Sequence, residues 1–258
     1  MRTAIIGGSG FDKIPDFRAA SKIIETRYGQ VEVFMGEGEA EDLLFLPRHG
    51  STHQTPPHRI NYRANMLALK QLGVRRALAL FTVGSLDEAH PPGSISVLDQ
   101  FIDFSYGREA TFFDGGGSGL VHTEVTDPFC PALRGRLLEA ASERGVEVLP
   151  SGTYVCTNGP RFETAAEISM FAQLGGHVVG MTGVPEIPLA REAGIHYAAM
   201  AISVNWGAGL KGKVKVETGN LANMHAVLIP LCMEVLRTPE PAPCVCETSL
   251  LVLHPPSV

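Results

Sequence analysis

The chain has 258 residues, 45% of them hydrophobic, which is enough for one large domain with a sizeable core. Acidic residues outnumber basic ones 27 to 21, and the net charge of −6 excludes the broad basic surface that nucleic acid or an anionic membrane requires. A small anion held by a few local donors is still allowed. Five cysteines, an odd number, do not read as a secreted disulfide framework. The start MRTAIIGGSGFDKIP carries no signal-peptide pattern, and no apolar run approaches the ~20 residues of a membrane span. The expectation is a cytoplasmic protein without a nucleic-acid or membrane partner.

Short apolar runs bounded by turn residues predict strands over Thr3–Ile6, Val31–Phe34, Leu43–Leu46 and Ala77–Val83. Four more follow at Ser94–Leu98, Val146–Leu149, His177–Met181 and His196–Val204. Helical spacing, with glycine or proline at the ends, predicts helices over Asn61–Leu72, Cys130–Arg144, Pro185–Ala193 and Leu221–Leu236. Alternating strands and helices imply an α/β fold with a substantially parallel sheet. No linker divides residues 1–236, so they form one domain. Residues 237–258 hold Pro239, Pro241, Pro243, Pro255 and Pro256, which excludes a continuing helix and predicts an extended arm lying on a neighbouring subunit.

The first strand runs into Gly7-Gly8-Ser9-Gly10, where glycines bring backbone N–H groups close to an anion and Ser9 adds a hydroxyl. A dinucleotide fingerprint fits poorly, because Lys13 takes the place of its third glycine and Pro15 interrupts the helix that should follow. A plain turn is the simpler rival. Past Leu43–Leu46 come Arg48 and His49, with His53 and His58 farther on. Arg48 stands at a strand's carboxyl end, where open α/β sheets bind ligands, and its fork suits phosphate. A zinc site from these histidines lacks a nearby carboxylate or cysteine.

Thr157–Thr164 opens a helix that Thr164 can cap, with Phe162 and Glu163 available to a pocket. Thr182-Gly183-Val184-Pro185-Glu186 is another strand-to-helix turn, where free N–H groups would favour an anion. Each segment alone reads equally as a capped helix.

Together IIGGSG, LPRHG, HRINYRAN, GSLDEAHPPG, QFID, DPFCP, GPRFET, GMTGVPE and LAREAGIHYA resemble, in order, the trimeric purine nucleoside phosphorylases, and specifically their 5′-methylthioadenosine phosphorylase branch. The resemblance implies a single-domain α/β nucleoside phosphorylase fold with a mixed, partly barrel-like central sheet flanked by helices. It implies cleavage of a purine nucleoside to free purine and a ribose 1-phosphate, with inorganic phosphate as co-substrate and no metal or organic cofactor. It also implies a homotrimer with the active site near the subunit interface.

By the same resemblance, phosphate falls to Ser9, Arg48, His49 and Thr182, with Thr82 adding to the site. The base pocket takes Phe162, Glu163 and Asn205, and Met181 lies under the ribose. Thr218 and Leu221 line the 5′ end, and His122 comes from the neighbouring subunit; Asn205, His122 and Arg48 are the catalytic candidates. The methylthio branch has two acids where this chain reads Asn205-Trp206-Gly207. An amide that donates to N7 or O6, beside Glu163 accepting from N1–H, suits a 6-oxopurine. The residues around Leu221 match the branch's apolar 5′ pocket, His225 being the alternative that would meet a 5′-hydroxyl. The combination points to a 5′-methylthioinosine-type substrate; the alternatives are a 5′-methylthioadenosine phosphorylase, a general inosine or guanosine phosphorylase, and a phosphate-independent nucleosidase. Some family members carry a pair like Cys244 and Cys246 for redox or disulfide purposes; with a cytoplasmic expectation, solvent-exposed thiols are expected here.

Overall fold

The computed structural model describes residues 1–216, 219, 221–239 and 244–255. Its centre is a mixed ten-stranded sheet. The strands in it are β1 (Arg2–Gly7), β2 (Ala19–Thr26), β3 (Gly29–Gly36), β4 (Leu43–Pro47), β5 (Val74–Ser85), β6 (Ile95–Val97), β7 (Gln100–Asp103), β9 (Thr153–Cys156), β10 (Val178–Gly180) and β11 (His196–Trp206). A separate ribbon pairs β8 (Leu120–Thr123) with β12 (Leu250–His254). The helices are α1 (Tyr62–Gln71), α2 (Pro131–Glu143), α3 (Ala165–Gln173), α4 (Glu186–Glu192) and α5 (Leu221–Arg237). Among the described residues, no helix is long and apolar enough to cross a membrane.

Strand alternation builds a core on each face of the sheet. Ala4, Ile6, Ala77, Ala79, Ala199 and Ala201 pack on one side with Ala64, Met66 and Leu69 of α1 and Ile187 and Leu189 of α4. Ile5, Leu78, Leu80, Ala198, Met200 and Ile202 pack on the other with Leu133 and Leu137 of α2 and Leu228, Leu231 and Val235 of α5. The small alanines on the first face let α1 and α4 sit close.

The sheet branches at β5. Along one edge, β1 pairs in parallel with β5 as far as Ile6↔Ala79, and β10 joins the same edge antiparallel only at Gly84 and Ser85. Along the other edge β11 runs parallel to β5, with a register shift between Ser203 and Asn205. Leu80–Val83 are therefore left between two departing neighbours on the first edge. That gap holds the site described below.

The predicted helices stand within a residue of their expected ends. Asn61 caps α1 by accepting from Ala64 N–H, and Thr164 with Glu167 forms a reciprocal capping box on α3. Of the predicted strands, Val146–Leu149 is not one. Only Leu149 bridges to Ser96, and the segment is an exposed to half-buried edge that stops at Pro150. The hairpin strand β2 escapes prediction because most of it is exposed and no alternation marks it. The extended arm also departs from expectation, since β12 folds back onto β8 of its own chain and Cys246 is buried in the core facing α2 and α5.

Candidate active site

One cleft opens where β1, β4, β5, β10 and β11 end or diverge. Its walls include Gly8, Ser9, Arg48, His49, Phe81, Thr82, Phe162, Glu163, Met181, Thr182, Asn205 and Val216. Every residue expected to touch phosphate is in it, as are Phe162, Glu163, Met181 and Asn205.

Arg48 is wholly buried and its fork grips Glu186, the first residue of α4, with Nε to Oε2 at 2.6 Å and Nη2 to Oε1 at 2.7 Å. Nη1 donates to the Leu80 carbonyl at 3.2 Å, in the gap of β5, and the guanidinium lies 4.4 Å over the Phe81 ring. Tyr197 donates its hydroxyl to the same Glu186 Oε1 at 2.7 Å. Burial opposes the charge on Arg48, yet the Glu186 carboxylate outweighs it and raises the guanidinium further above its ordinary value. Burial, followed by the adjacent carboxylate, pushes the Tyr197 phenol well above its usual range. Three of the five N–H donors of Arg48 are thus engaged inside the protein, leaving two for an anion. With Glu186 alongside, a nearly neutral pair presents directional donors to the cleft. Gly8 makes this possible, because a Cβ there would stand 2.6 Å from Arg48 Nη1.

The N–H groups of the Thr182 turn are not free either. Those of Thr182 and Gly183 both donate to the Tyr154 hydroxyl oxygen, at 3.1 and 3.2 Å, and that of Val184 to Cys156 Sγ at 3.3 Å. Thr182 therefore offers its side-chain hydroxyl rather than a helix N-terminus. His49 is buried, with Nδ1 donating to the Thr55 carbonyl at 2.8 Å, which leaves Nε2 as an acceptor. Burial, helped by nearby Arg48, holds its pKa below the ordinary histidine value. A neutral ring with Nε2 unprotonated fits the hydroxyl of a hydrogenphosphate ion.

At the other part of the cleft, Thr157 donates its hydroxyl to Glu163 Oε1 at 2.7 Å and fixes that carboxylate. Asn205 is buried and donates Nδ2 to the Trp206 carbonyl at 2.9 Å, keeping one amide N–H and its carbonyl for a ligand. Phe162 is 52% exposed and gives the cleft wall an aromatic side chain. Gly159, at φ +61°, leaves room for Met181, whose Sδ would lie 2.6 Å from an added Cβ.

A model of the phosphorylase superfamily matches residues 2–229. The chain belongs to that superfamily. A 6-oxopurine nucleoside phosphorylase of Pyrococcus furiosus is 48% identical over 217 residues, 82% of either chain. A protein of Thermodesulfovibrio yellowstonii named probable S-methyl-5′-thioinosine phosphorylase is 40% identical over 260 residues, 97% of this chain and 96% of that one. Among solved structures, methylthioadenosine phosphorylase from Schistosoma mansoni in complex with adenine superposes with a TM-score of 0.85 at 33% identity, covering 92% of this chain and 91% of that one.

Not all the residues assigned by resemblance to this phosphorylase meet in the cleft. His122 is exposed on the β8–β12 ribbon and is not part of the wall. Leu221 packs against Gly10 and lines a neighbouring cavity with Ser203, Val204 and Met224. Thr218 lies outside the described residues. His225 does not reach the cleft: Nε2 bonds the Gly10 carbonyl and the ring stacks on Phe11 at 4.3 Å. Sequence reasoning overlooked Glu186 and Tyr154, which hold the anion donors in place, and Asp12. Asp12 bonds His53 Nδ1, and His53 Nε2 stands 3.4 Å from Ser9 Oγ. Glu186 carried a sequence signal, a carboxylate directly after the Thr182 turn. Tyr154 carried none, because β9 itself was not predicted.

Arg48→Ala should lower kcat/KM for phosphate by roughly one to two orders of magnitude, the loss of a charge-assisted hydrogen bond or two. It should also cost about 3–5 kcal/mol of stability in urea denaturation, because Glu186 is left buried without its partner. An unchanged dependence on phosphate would remove Arg48 from the anion site. Neutral His49 contributes stability that is present above about pH 6.5, the unfolded value, and is lost as pH falls through its lowered folded value. The acid limb of Tm against pH should therefore flatten in His49→Asn; an identical limb in both proteins would contradict the assignment.

Proposed function

We propose that the chain carries out phosphorolysis of a 6-oxopurine nucleoside, with 5′-methylthioinosine the preferred substrate. Breaking the N-glycosidic bond develops positive charge on the sugar and negative charge on the purine. A phosphate oxygen forms the new bond to C1′ as the bond to the base breaks, and the departing base is neutralised at N7 by a hydrogen bond or proton. Ser9, Arg48, His49, Thr82 and Thr182 are the donors and acceptors that would orient that phosphate. Positioning and fixed electrostatics do the catalytic work, without a covalent enzyme intermediate. The reaction needs no metal or organic cofactor at this cleft.

The observation that carries the base preference is the presence of Glu163 and Asn205 in the same cleft. Glu163 is anchored to accept from N1–H, and the remaining Asn205 N–H can reach N7 or O6. A 6-aminopurine offers no N1–H and would leave Glu163 unpaired, a mismatch that polar sites reject strongly. The acid that the methylthioadenosine branch carries at 207 meets a packed backbone here: a Cβ on Gly207 would lie 3.0 Å from Ile168 and from the Ser85 carbonyl. For the 5′ substituent, His225 is committed to Gly10, while Pro57, Val204 and Val216 supply apolar walls. These favour a methylthio group. Similarity to a 6-oxopurine nucleoside phosphorylase supports inosine or guanosine as the second reading.

Methylthioinosine, methylthioadenosine, inosine and adenosine, each with and without phosphate, test the proposal. Cleavage should require phosphate and be fastest with methylthioinosine. In Asn205→Asp the oxopurine activity should fall by more than the aminopurine activity rises, since only one acid is restored. A wild-type preference for methylthioadenosine would refute the base assignment.

The same reading includes a cytoplasmic homotrimer in which His122 serves a neighbour's cleft. Two features support it. His122 misses its own cleft, and the ribbon that bears it exposes Leu120, Leu250, Leu251, Val252 and Leu253. Mixing unfolded-and-refolded Arg48→Ala with His122→Ala should recover activity in mixed trimers, each carrying some intact composite sites. A fully active monomer in sedimentation would contradict it.

A further inference from the structure

Outside the cleft, a sulfur-rich cluster sits at the opposite end of β11. Cys130 precedes α2, His196 begins β11, and Cys244 and Cys246 flank the first residue of a single 3-10 turn at Val245–Glu247. Their ligand atoms all lie within 4.8 Å of one another, and Cys130, His196 and Cys246 are buried. This corrects the expectation that the C-terminal thiols face solvent. None of the four lines the cleft, and the nine residue steps along β11 from His196 to Asn205 put the two ends roughly 30 Å apart.

We propose that Cys130, His196, Cys244 and Cys246 form a structural zinc site that fastens the C-terminal segment to the core. Three of the six ligand–ligand distances match the edges of a zinc tetrahedron, and the other three lie within 4.8 Å. With Zn–S near 2.3 Å and Zn–N near 2.0–2.1 Å, the edges should be about 3.8 Å between sulfurs and about 3.6 Å between sulfur and nitrogen. Cys130 Sγ lies 3.5 Å from Cys244 Sγ and 3.6 Å from His196 Nδ1, and Cys244 Sγ lies 3.4 Å from Cys246 Sγ. Three sulfurs and one imidazole make a closed set of the kind structural zinc adopts.

The surroundings complete the pattern. With Nδ1 turned to the sulfurs, His196 points Nε2 toward Glu247 Oε1 4.0 Å away, so a small side-chain shift would make the carboxylate–histidine pairing that orients metal-bound imidazoles. Three thiolates around a dication leave one negative charge, and Arg191 reaches toward the same turn, donating to Ser249 Oγ at 3.1 Å. Binding converts three thiols and Zn²⁺ to a tris-thiolate complex and releases three protons, with no redox change. The ion would join Cys130 to residues 114 positions away and hold in place the segment that leads to β12.

The test uses the full-length protein purified under a non-thiol reductant. Elemental analysis should find one zinc per chain, or the stripped protein should take up one equivalent of added Zn²⁺ and gain in Tm. Added Co²⁺ should produce the ligand-field and thiolate charge-transfer bands of a tetrahedral sulfur-rich centre. Cys244→Ser and Cys246→Ser should abolish stoichiometric binding while nucleoside cleavage persists, and Glu247→Gln should weaken it about 10–100-fold. Because the wild-type titration needs no variant, a folding failure in one of them leaves the proposal testable. A reduced protein that binds neither Zn²⁺ nor Co²⁺, or a Cys244→Ser/Cys246→Ser double variant that keeps its metal, would overturn it. So would a metal-free protein two hydrogens lighter by mass, which would assign the pair to a disulfide instead.

Discussion

The ion pair between Arg48 and Glu186 ties the architecture to the chemistry. It joins the carboxyl end of β4 to the start of α4, and its third arm reaches the Leu80 carbonyl where β5 has no strand neighbour on its first edge. Neither charge is exposed, so each would be costly without the other. Tyr197 supplies an additional hydrogen bond to the carboxylate, and the Phe81 face covers the guanidinium. Such a pair is held at one geometry, which is what an anion site needs from its donors. The consequence for electrostatics is that the cleft meets an anion with oriented N–H and O–H groups more than with net charge.

That pair can exist only because the sheet branches. Had β1 continued beside β5 past Ala79, the Leu80 carbonyl would be consumed by a strand ladder and no cleft would open. Instead β1 ends in the glycine turn, β10 takes over the same edge at Gly84, and β11 shifts register near Asn205. The three irregularities fall along the Ala79–Gly84 stretch of β5. They deliver Ser9, Thr82, Thr182 and Asn205 to one space from four separate strands or strand ends.

Much of the candidate site was legible residue by residue, because a glycine turn, an arginine after a strand and hydroxyls at helix starts are local patterns with local physical meaning. Their occupancy was not. The Thr182 turn reads as a helix start with donors to spare, yet Tyr154, from a strand 28 residues earlier, already satisfies two of them. His225 reads as a histidine on the last helix, free to meet a sugar; contact with Gly10, 215 positions away, commits it elsewhere. The C-terminal cysteines read as exposed thiols in a proline-rich arm, and only the return of that arm to α2 and β11 buries Cys246.

By itself the sequence determined the α/β class, the helices and their caps, the buried strands near the centre and the identity of the groups gathered in the cleft. The fold elements follow from periodicity and turn chemistry within a short window, whereas Thr82, Met181 and Asn205 were named only through the resemblance to a family whose motifs run along the whole chain. The exposed strands β2, β8 and β12 lack that signal, since a strand open to solvent need not alternate. The tertiary structure alone decided which donors are spent and which remain for a ligand. A side chain's hydrogen-bonding capacity is fixed by its chemistry, but its partners are chosen by contacts between segments tens to hundreds of residues apart, and no local pattern encodes those.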